Sequence, residues 1–225
     1  AAALAHHSNL YFNAAAPEIS DEEFDSLHAE LSSLAPDHPQ LRRVGSDPPP
    51  GSVKVEHMFP MRSLDKATSE EELAHFVAET TLGGLAYIAQ PKLDGSALSL
   101  EYRKGRLVRA ATRGSGQRGE DVTRNARRVA NVPESLCSPV DVHVRGEVIM
   151  PLSTFSRKYS EISPNPRNLE AGALRQKHAE KGKADASDLT FFAYDAHFPS
   201  IEQRHPDSEP PPHFDKDSEI TAWLA

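Results

Sequence analysis

The sequence predicts an α+β fold, with largely antiparallel sheets and flanking helices behind a small helical N-terminal region. Three observations predict it. Ser20-Asp21-Glu22-Glu23 and Ser69-Glu70-Glu71-Glu72 have the form of capping boxes, each followed by apolar residues at helical spacing. Leu98 to Tyr102 and Leu107 to Thr112 flank Arg103-Lys104-Gly105, a hairpin signal. Val140 to Met150 and Leu189 to Ala193 read as two further strands.

Taken in order, residues 1–16 are Ala-rich. His6-His7-Ser8-Asn9-Leu10-Tyr11-Phe12 superficially resembles an expression-tag scar, but the run passes directly into patterned sequence. Phe24, Leu27, Leu31 and Leu34 recur at helical spacing after the first box. Asp21 and Asp25 lie a turn apart, and helix-dipole complementation explains them as well as ligand binding does. Pro36 to Gly51 is Pro-rich and reads as a linker. Leu73, Phe76 and Val77 follow the second box, in a helix that feeds through Gly83-Gly84 into Leu85-Ala86-Tyr87-Ile88-Ala89, expected as a buried strand. Past the hairpin, Arg113-Gly114-Ser115-Gly116-Gln117-Arg118-Gly119 forms a loop able to offer N–H groups and guanidinium forks to a phosphate. Asp121 to Val129 reads as a basic helix that stops before Pro133. Glu147 lies in the otherwise apolar run Val144 to Met150, so it is expected to be paired or functional. Ser153 to Tyr159 reads as a short helix, and Asn165-Pro166-Arg167-Asn168 caps another, with Arg175 two turns on from Arg167. Beyond Pro199 the chain is acidic and Pro-rich as far as Asp215, and Ile220 to Leu224 begins a last helix.

Composition narrows the class. The 225 residues suffice for one large domain or a domain plus an appendage. A hydrophobic content of 38% and 18 prolines point to long connecting segments. Cys137 is the one cysteine, which excludes an intramolecular disulfide and a Cys-cluster zinc site within the chain. A reducing, cytoplasmic setting is the default, with no apolar run of membrane-spanning length and no visible signal peptide. The first residue is Ala rather than Met, so a processed chain or a fragment is expected. Net charge is -8, unevenly spread: residues 1–80 carry 5 positive and 14 negative charges, residues 81–185 carry 18 and 11, and residues 186–225 carry 2 and 8. The basic middle suits a phosphate-bearing ligand or a nucleic-acid backbone, and equally a solvated basic face.

Within that basic middle, Gln90-Pro91-Lys92-Leu93-Asp94-Gly95 joins the expected strand to the hairpin. Residues i and i+2 of a strand share a face, so Lys92 and Asp94 are expected to reach one pocket. An amine attacks only when neutral, so burial or nearby cations must lower its pKa while an acid positions it. A surface Lys-Asp pair at a strand end has the same spacing.

The ordered set Lys92-x-Asp94-Gly95, Thr112-Arg113-Gly114, Arg145-Gly146-Glu147 and Pro166-Arg167-Asn168 resembles the adenylation region of bacterial NAD-dependent DNA ligases. Pro17-Glu18-Ile19-Ser20-Asp21-Glu22-Glu23-Phe24-Asp25 looks like that family's helical cap, and Pro60-Met61-Arg62-Ser63-Leu64-Asp65 like the lead-in to its nucleotidyltransferase domain. Gly119 to Thr123, Ala171 to Gln176 and Phe191 to Tyr194 extend the likeness. The resemblance implies a DNA-ligase-like nucleotidyltransferase core at 51–198, a helical cap at 1–50 for the nicotinamide end of NAD, and an acidic, Pro-rich connection with the start of a helix at 199–225. By resemblance Lys92 attacks the α-phosphate of NAD, releases nicotinamide mononucleotide and becomes lysyl-AMP, for transfer to a 5′-phosphate at a nick in double-stranded DNA. Asp94 would orient the lysine. Tyr11, Asp21, Glu22, Glu23, Phe24, Asp25, Ser63, Leu64, Gln90, Leu93, Arg113 and Glu147 would bind NAD, with Mg2+ assisting and no dedicated metal-ligand residue. Arg167 and Arg175 would contact phosphate or DNA. A cytoplasmic monomer is expected.

Several positions depart from the family pattern. Gln90 stands where Glu is usual, Phe12 where His is usual, Phe24 where Tyr is usual and Ser115 where Asp is usual. Lost polar contacts of this kind typically cost about 0.5–3 kcal/mol each. The family's later lysine-bearing strands and further domains do not follow before Ala225. An alternative is therefore a catalytically impaired paralogue that binds nucleotide or DNA without turnover, and weak or absent self-adenylation is expected of this chain alone.

Overall fold

A computed structural model describes residues 1–14, 17–43, 45–48, 50–64, 66–80, 87–163, 165–177 and 183–225. Helix α1 (Ala2–Asn9) runs into a π-helical turn (Leu10–Ala14), and α2 (Asp21–Leu34) follows. Both bonds of the Ser20–Glu23 capping box form, as its sequence requires. A 3₁₀ turn (Pro39–Arg42) interrupts the Pro-rich linker, and β1 (Lys54–Glu56) leads to α3 (Glu70–Thr80). The second capping box also closes, with Glu72 N–H on Ser69 Oγ at 3.2 Å and Ser69 N–H on the Glu72 carboxylate at 3.3 Å.

The main sheet is antiparallel, in the order β3-β2-β5-β6, from β2 (Ser96–Arg103), β3 (Arg106–Thr112), β5 (Val142–Ile149) and β6 (Thr190–His197). The hairpin between β2 and β3 turns through Lys104 (φ 49°) and Gly105 (φ 71°), two left-handed residues in succession, as the twist of a tight hairpin demands. A separate pair joins β1 to β4 (Arg118–Glu120). Leu98, Leu100 and Tyr102 of β2 and Val142, Val144 and Val148 of β5 turn to one face, where Val122, Val129 and Leu174 cover them. Each fully buried large apolar side chain contributes about 1.5–3 kcal/mol. The α+β architecture expected from the sequence is the one observed.

Helices α4 (Thr123–Ala126), α5 (Leu152–Lys158) and α6 (Pro166–Arg175) flank the sheet, and α7 (Asp217–Leu224) lies against β6. Asn165 caps α6 through the Arg167 N–H at 2.8 Å. The acidic C-terminal stretch is pinned to the core by buried Asp141, which accepts from the backbone N–H groups of Lys104 and His205, both at 2.7 Å.

Two elements differ from expectation. The helix expected over 121–129 shrinks to α4, because Asp121 N–H is drawn to Val53 O in extended chain and later bonds tighten to i−3 as Val129 and Val132 turn inward. No strand forms over Tyr87–Ala89, and Leu85 and Ala86 lie outside the described residues. Both edges of β2 are taken by β3 and β5. The chain instead meets the end of α3, with Tyr87 OH 2.9 Å from Thr80 Oγ1.

Candidate active site

Alternation places Ala97, Ser99 and Glu101 of β2 and His143, Arg145 and Glu147 of β5 on the face opposite the core, Ala97 registering with Glu147 and Ser99 with Arg145. Arg145 Nη2 donates to the carbonyls of Phe59 (2.7 Å) and Pro60 (3.0 Å), drawing the segment after β1 across this face. Glu101 closes one end. Burial would raise its carboxyl, but Arg109, His143 and Arg103 together hold it below the usual range. Burial pushes neighbouring His143 down to about 4, and the Phe59 ring lies 5.2 Å from it and 5.1 Å from His197.

The other end holds several of the expected residues. Burial raises the Glu147 carboxyl above its ordinary range, against the pull of Lys92, Arg167 and Arg113 and of the Gly95 N–H that donates to it. Gly95 is required here: a Cβ would fall 2.0 Å from Val148 O, so only glycine lets the chain come this close to β5. Arg113, just past β3, is a partly buried guanidinium whose pKa burial lowers, with Glu147 the largest opposing influence. Its guanidinium carbon lies 5.2 Å from the centre of the Phe12 ring. Arg167, in the first turn of α6, donates to Asp94 Oδ1 at 2.7 Å and lies 4.7 Å from the centre of the Tyr11 ring. Burial raises the Tyr11 phenol, Arg167 opposes the rise, and Asp21 and Asp94 add to it. Three cations thus act on one carboxylate, and two rings of the N-terminal segment lie over two of those cations. Such an arrangement favours an anionic, partly flat ligand.

Other expected residues fall differently. Lys92 is exposed and on no strand, so neither its expected burial nor the shared-face argument for Asp94 holds. The Asp94 carboxylate engages Arg167 instead. Gln90, Ser63 and Leu64 are exposed, Leu64 at 81%, while Leu93 and Phe24 are half-buried. Glu23 is spent on the capping box, Asp25 accepts from Lys66 Nζ at 2.7 Å, and Glu22 lies exposed in the same first turn. The glycine-rich loop does not offer its N–H groups outward. Ser115 N–H and Gly116 N–H bond to Arg118 O and Arg113 O, both at 3.0 Å, because the loop closes as the tight turn between β3 and β4. Arg175 donates to Phe12 O at 2.5 Å and lies 3.7 Å from Glu120, so both α6 arginines engage the chain itself.

Three residues of this region were not anticipated. Tyr194 stands within electrostatic reach of Glu147 and Arg113, its phenol raised by burial. Burial also raises Glu120, with Arg175 opposing. Glu170 is fully buried, accepts from Ser96 Oγ at 2.8 Å and leaves Oε1 without a hydrogen-bond partner. Burial pushes it up to about 8. The sequence did carry a signal for it, since Glu170 precedes Leu174 by four residues and so shares the buried face of α6.

The family model for the NAD-dependent DNA ligase adenylation domain matches residues 51–210. The model for the DNA ligase-like, N-terminal NAD+-binding domain matches residues 1–50. A DNA ligase of Afipia carboxidovorans is 40% identical over 215 residues, covering 85% of this chain and 30% of its own length. DNA ligases of Natranaerobius thermophilus (40% over 210 residues, 85% and 31%) and Marinobacter nauticus (42% over 198 residues, 78% and 29%) are similar to it as well. The chain spans about 30% of the length of these curated relatives. No helix among the described residues is long and apolar enough to cross a membrane. The chain belongs to the NAD-dependent DNA ligase adenylation domain family.

Proposed function

We propose that this chain is the adenylate-accepting portion of an NAD-dependent DNA ligase, with residues 1–50 as the cap over NAD, 51–198 as the nucleotidyltransferase core and 199–225 as a connection. Lys92 Nζ, once deprotonated, attacks the α-phosphorus of NAD. A P–N bond forms, the bond from that phosphorus to the bridging oxygen breaks, and nicotinamide mononucleotide leaves with that oxygen. The AMP then passes to the 5′-phosphate at a nick in double-stranded DNA. The observation that carries this reading is Arg167, which donates to Asp94 of the lysine motif at 2.7 Å and lies 4.7 Å from the centre of the Tyr11 ring, in the stretch matched by the NAD+-binding family.

Each residue has a physical task. Arg113 and Arg167 offset the negative charge of the diphosphate, which otherwise repels electron-rich attack. Glu147, a single partly buried carboxylate, fits the preference of magnesium for one or two carboxylates plus substrate phosphates. A magnesium ion there would neutralise phosphate charge. Tyr11 and Phe12 lie over Arg167 and Arg113, within the stretch matched by the NAD+-binding family.

The test is single-turnover release of nicotinamide mononucleotide from NAD without DNA, on the chain joined to the rest of a ligase, since the chain alone is expected to adenylate itself weakly or not at all. About one equivalent per chain is expected, and none from Lys92→Ala. Release of free nicotinamide in its place would contradict the reading.

A further inference from the structure

We propose that His6, His7 and Glu18 form a divalent transition-metal site, suited to zinc, that fastens α1 to the segment entering α2. One ligand atom from each residue lies within 4.8 Å of the other two, the one such group of three among the described residues. His6 Nε2 and Glu18 Oε2 stand 3.4 Å apart. Zinc bonds of about 2.0–2.2 Å at tetrahedral angles hold neighbouring ligand atoms about 3.4 Å apart, so this pair already has the required spacing. The His6 and His7 rings meet edge to face with centres 5.1 Å apart, and the third ligand atom, within 4.8 Å, would close by a side-chain adjustment.

Two imidazoles and a carboxylate are a zinc-type donor set, with water free to take the fourth position. Hard, all-oxygen cations prefer other ligands. A plain His6–Glu18 ion pair explains less. Both side chains are about three-fifths exposed (59% and 61%), where such a pair is worth little. It also leaves His7 Nδ1 buried with no hydrogen-bond partner, a need that ligation through that nitrogen would meet. The residues fall within the stretch matched by the NAD+-binding family model, so they belong to the folded cap. A metal here would clasp both ends of the segment bearing Tyr11 and Phe12, the rings over Arg167 and Arg113.

The test is titration of the chelator-stripped chain with Co2+, read by its visible ligand-field absorption, and competition by Zn2+. The expected result is one saturable equivalent displaced by Zn2+. His6→Ala and Glu18→Gln should each weaken it at least tenfold, with far-UV circular dichroism unchanged because both side chains are exposed. Zn2+ should raise the melting temperature of the parent chain but not of either variant. Absence of a saturable band, or a band unaltered in both variants, would overturn the proposal. Neither readout uses NAD or DNA, so failure here leaves the adenylation reading intact.

Discussion

The guanidinium of Arg167 lies 4.7 Å from the centre of the Tyr11 ring and donates to Asp94 at 2.7 Å. One side chain therefore joins the N-terminal segment, helix α6 and the lysine motif. A cation over an aromatic ring contributes about 0.5–2 kcal/mol, according to its desolvation. Tyr11→Leu should weaken NAD binding about threefold to thirtyfold in calorimetric titration. AMP, which lacks the nicotinamide end, should bind nearly as before. An equal loss for both ligands would show that Tyr11 serves the core rather than the cap.

Glu170 should make stability depend on pH. Its folded pKa, about 8, lies well above the ordinary carboxyl value, so the folded chain holds a proton that the unfolded chain has lost. Its stabilisation is full below the unfolded pKa of roughly 4.3 and is lost as pH rises through about 8. His143 acts oppositely, because burial depresses it to about 4 and its contribution is lost as pH falls below about 6.5. From pH 6.5 to 8.5 Glu170 is left to dominate. Urea unfolding should show a decline of roughly 2 kcal/mol across that window, flattened in Glu170→Gln. A parent chain with no decline would contradict this assignment.

Asn125 holds the end of α6 in place. Its buried amide donates to Leu174 O at 2.8 Å and Gln176 O at 2.7 Å. Asn125→Ala leaves those carbonyls short of a donor and should cost about 1–3 kcal/mol in chemical denaturation. Because α6 carries Arg167 and Arg175, NAD affinity should fall as well.

At Gly95 no side chain fits. The Cβ of Gly95→Ala would collide with Val148 O, forcing the chain off β5 and pulling its N–H from Glu147. A loss of about 1–3 kcal/mol is expected, with slower adenylation even under conditions where the variant is fully folded. Unchanged adenylation would separate the Gly95–Glu147 bond from function.

Local chemistry was legible in the sequence, and contact between distant segments was not. The two capping boxes and the Lys104-Gly105 turn depend on residues within a few positions, and each forms as its sequence specifies. The apolar run before Lys92 looked like a strand because its composition suits one, but composition names no pairing partner, and Tyr87 meets Thr80 at the end of α3 instead. The motifs around Lys92, Arg113, Glu147 and Arg167 were each visible, and all three cations act electrostatically on Glu147. Which group each arginine would engage was hidden, because Tyr11, Phe12 and Asp94 reach α6 only through the fold.

The most direct measurement is the intact mass of the polypeptide after incubation with NAD and magnesium in the absence of DNA. A single added adenylyl group, lost in acid as a P–N bond should be and absent from Lys92→Ala, is the predicted result. An adduct that persists in Lys92→Ala, or none on the full polypeptide that carries this chain, would contradict the role given to Lys92.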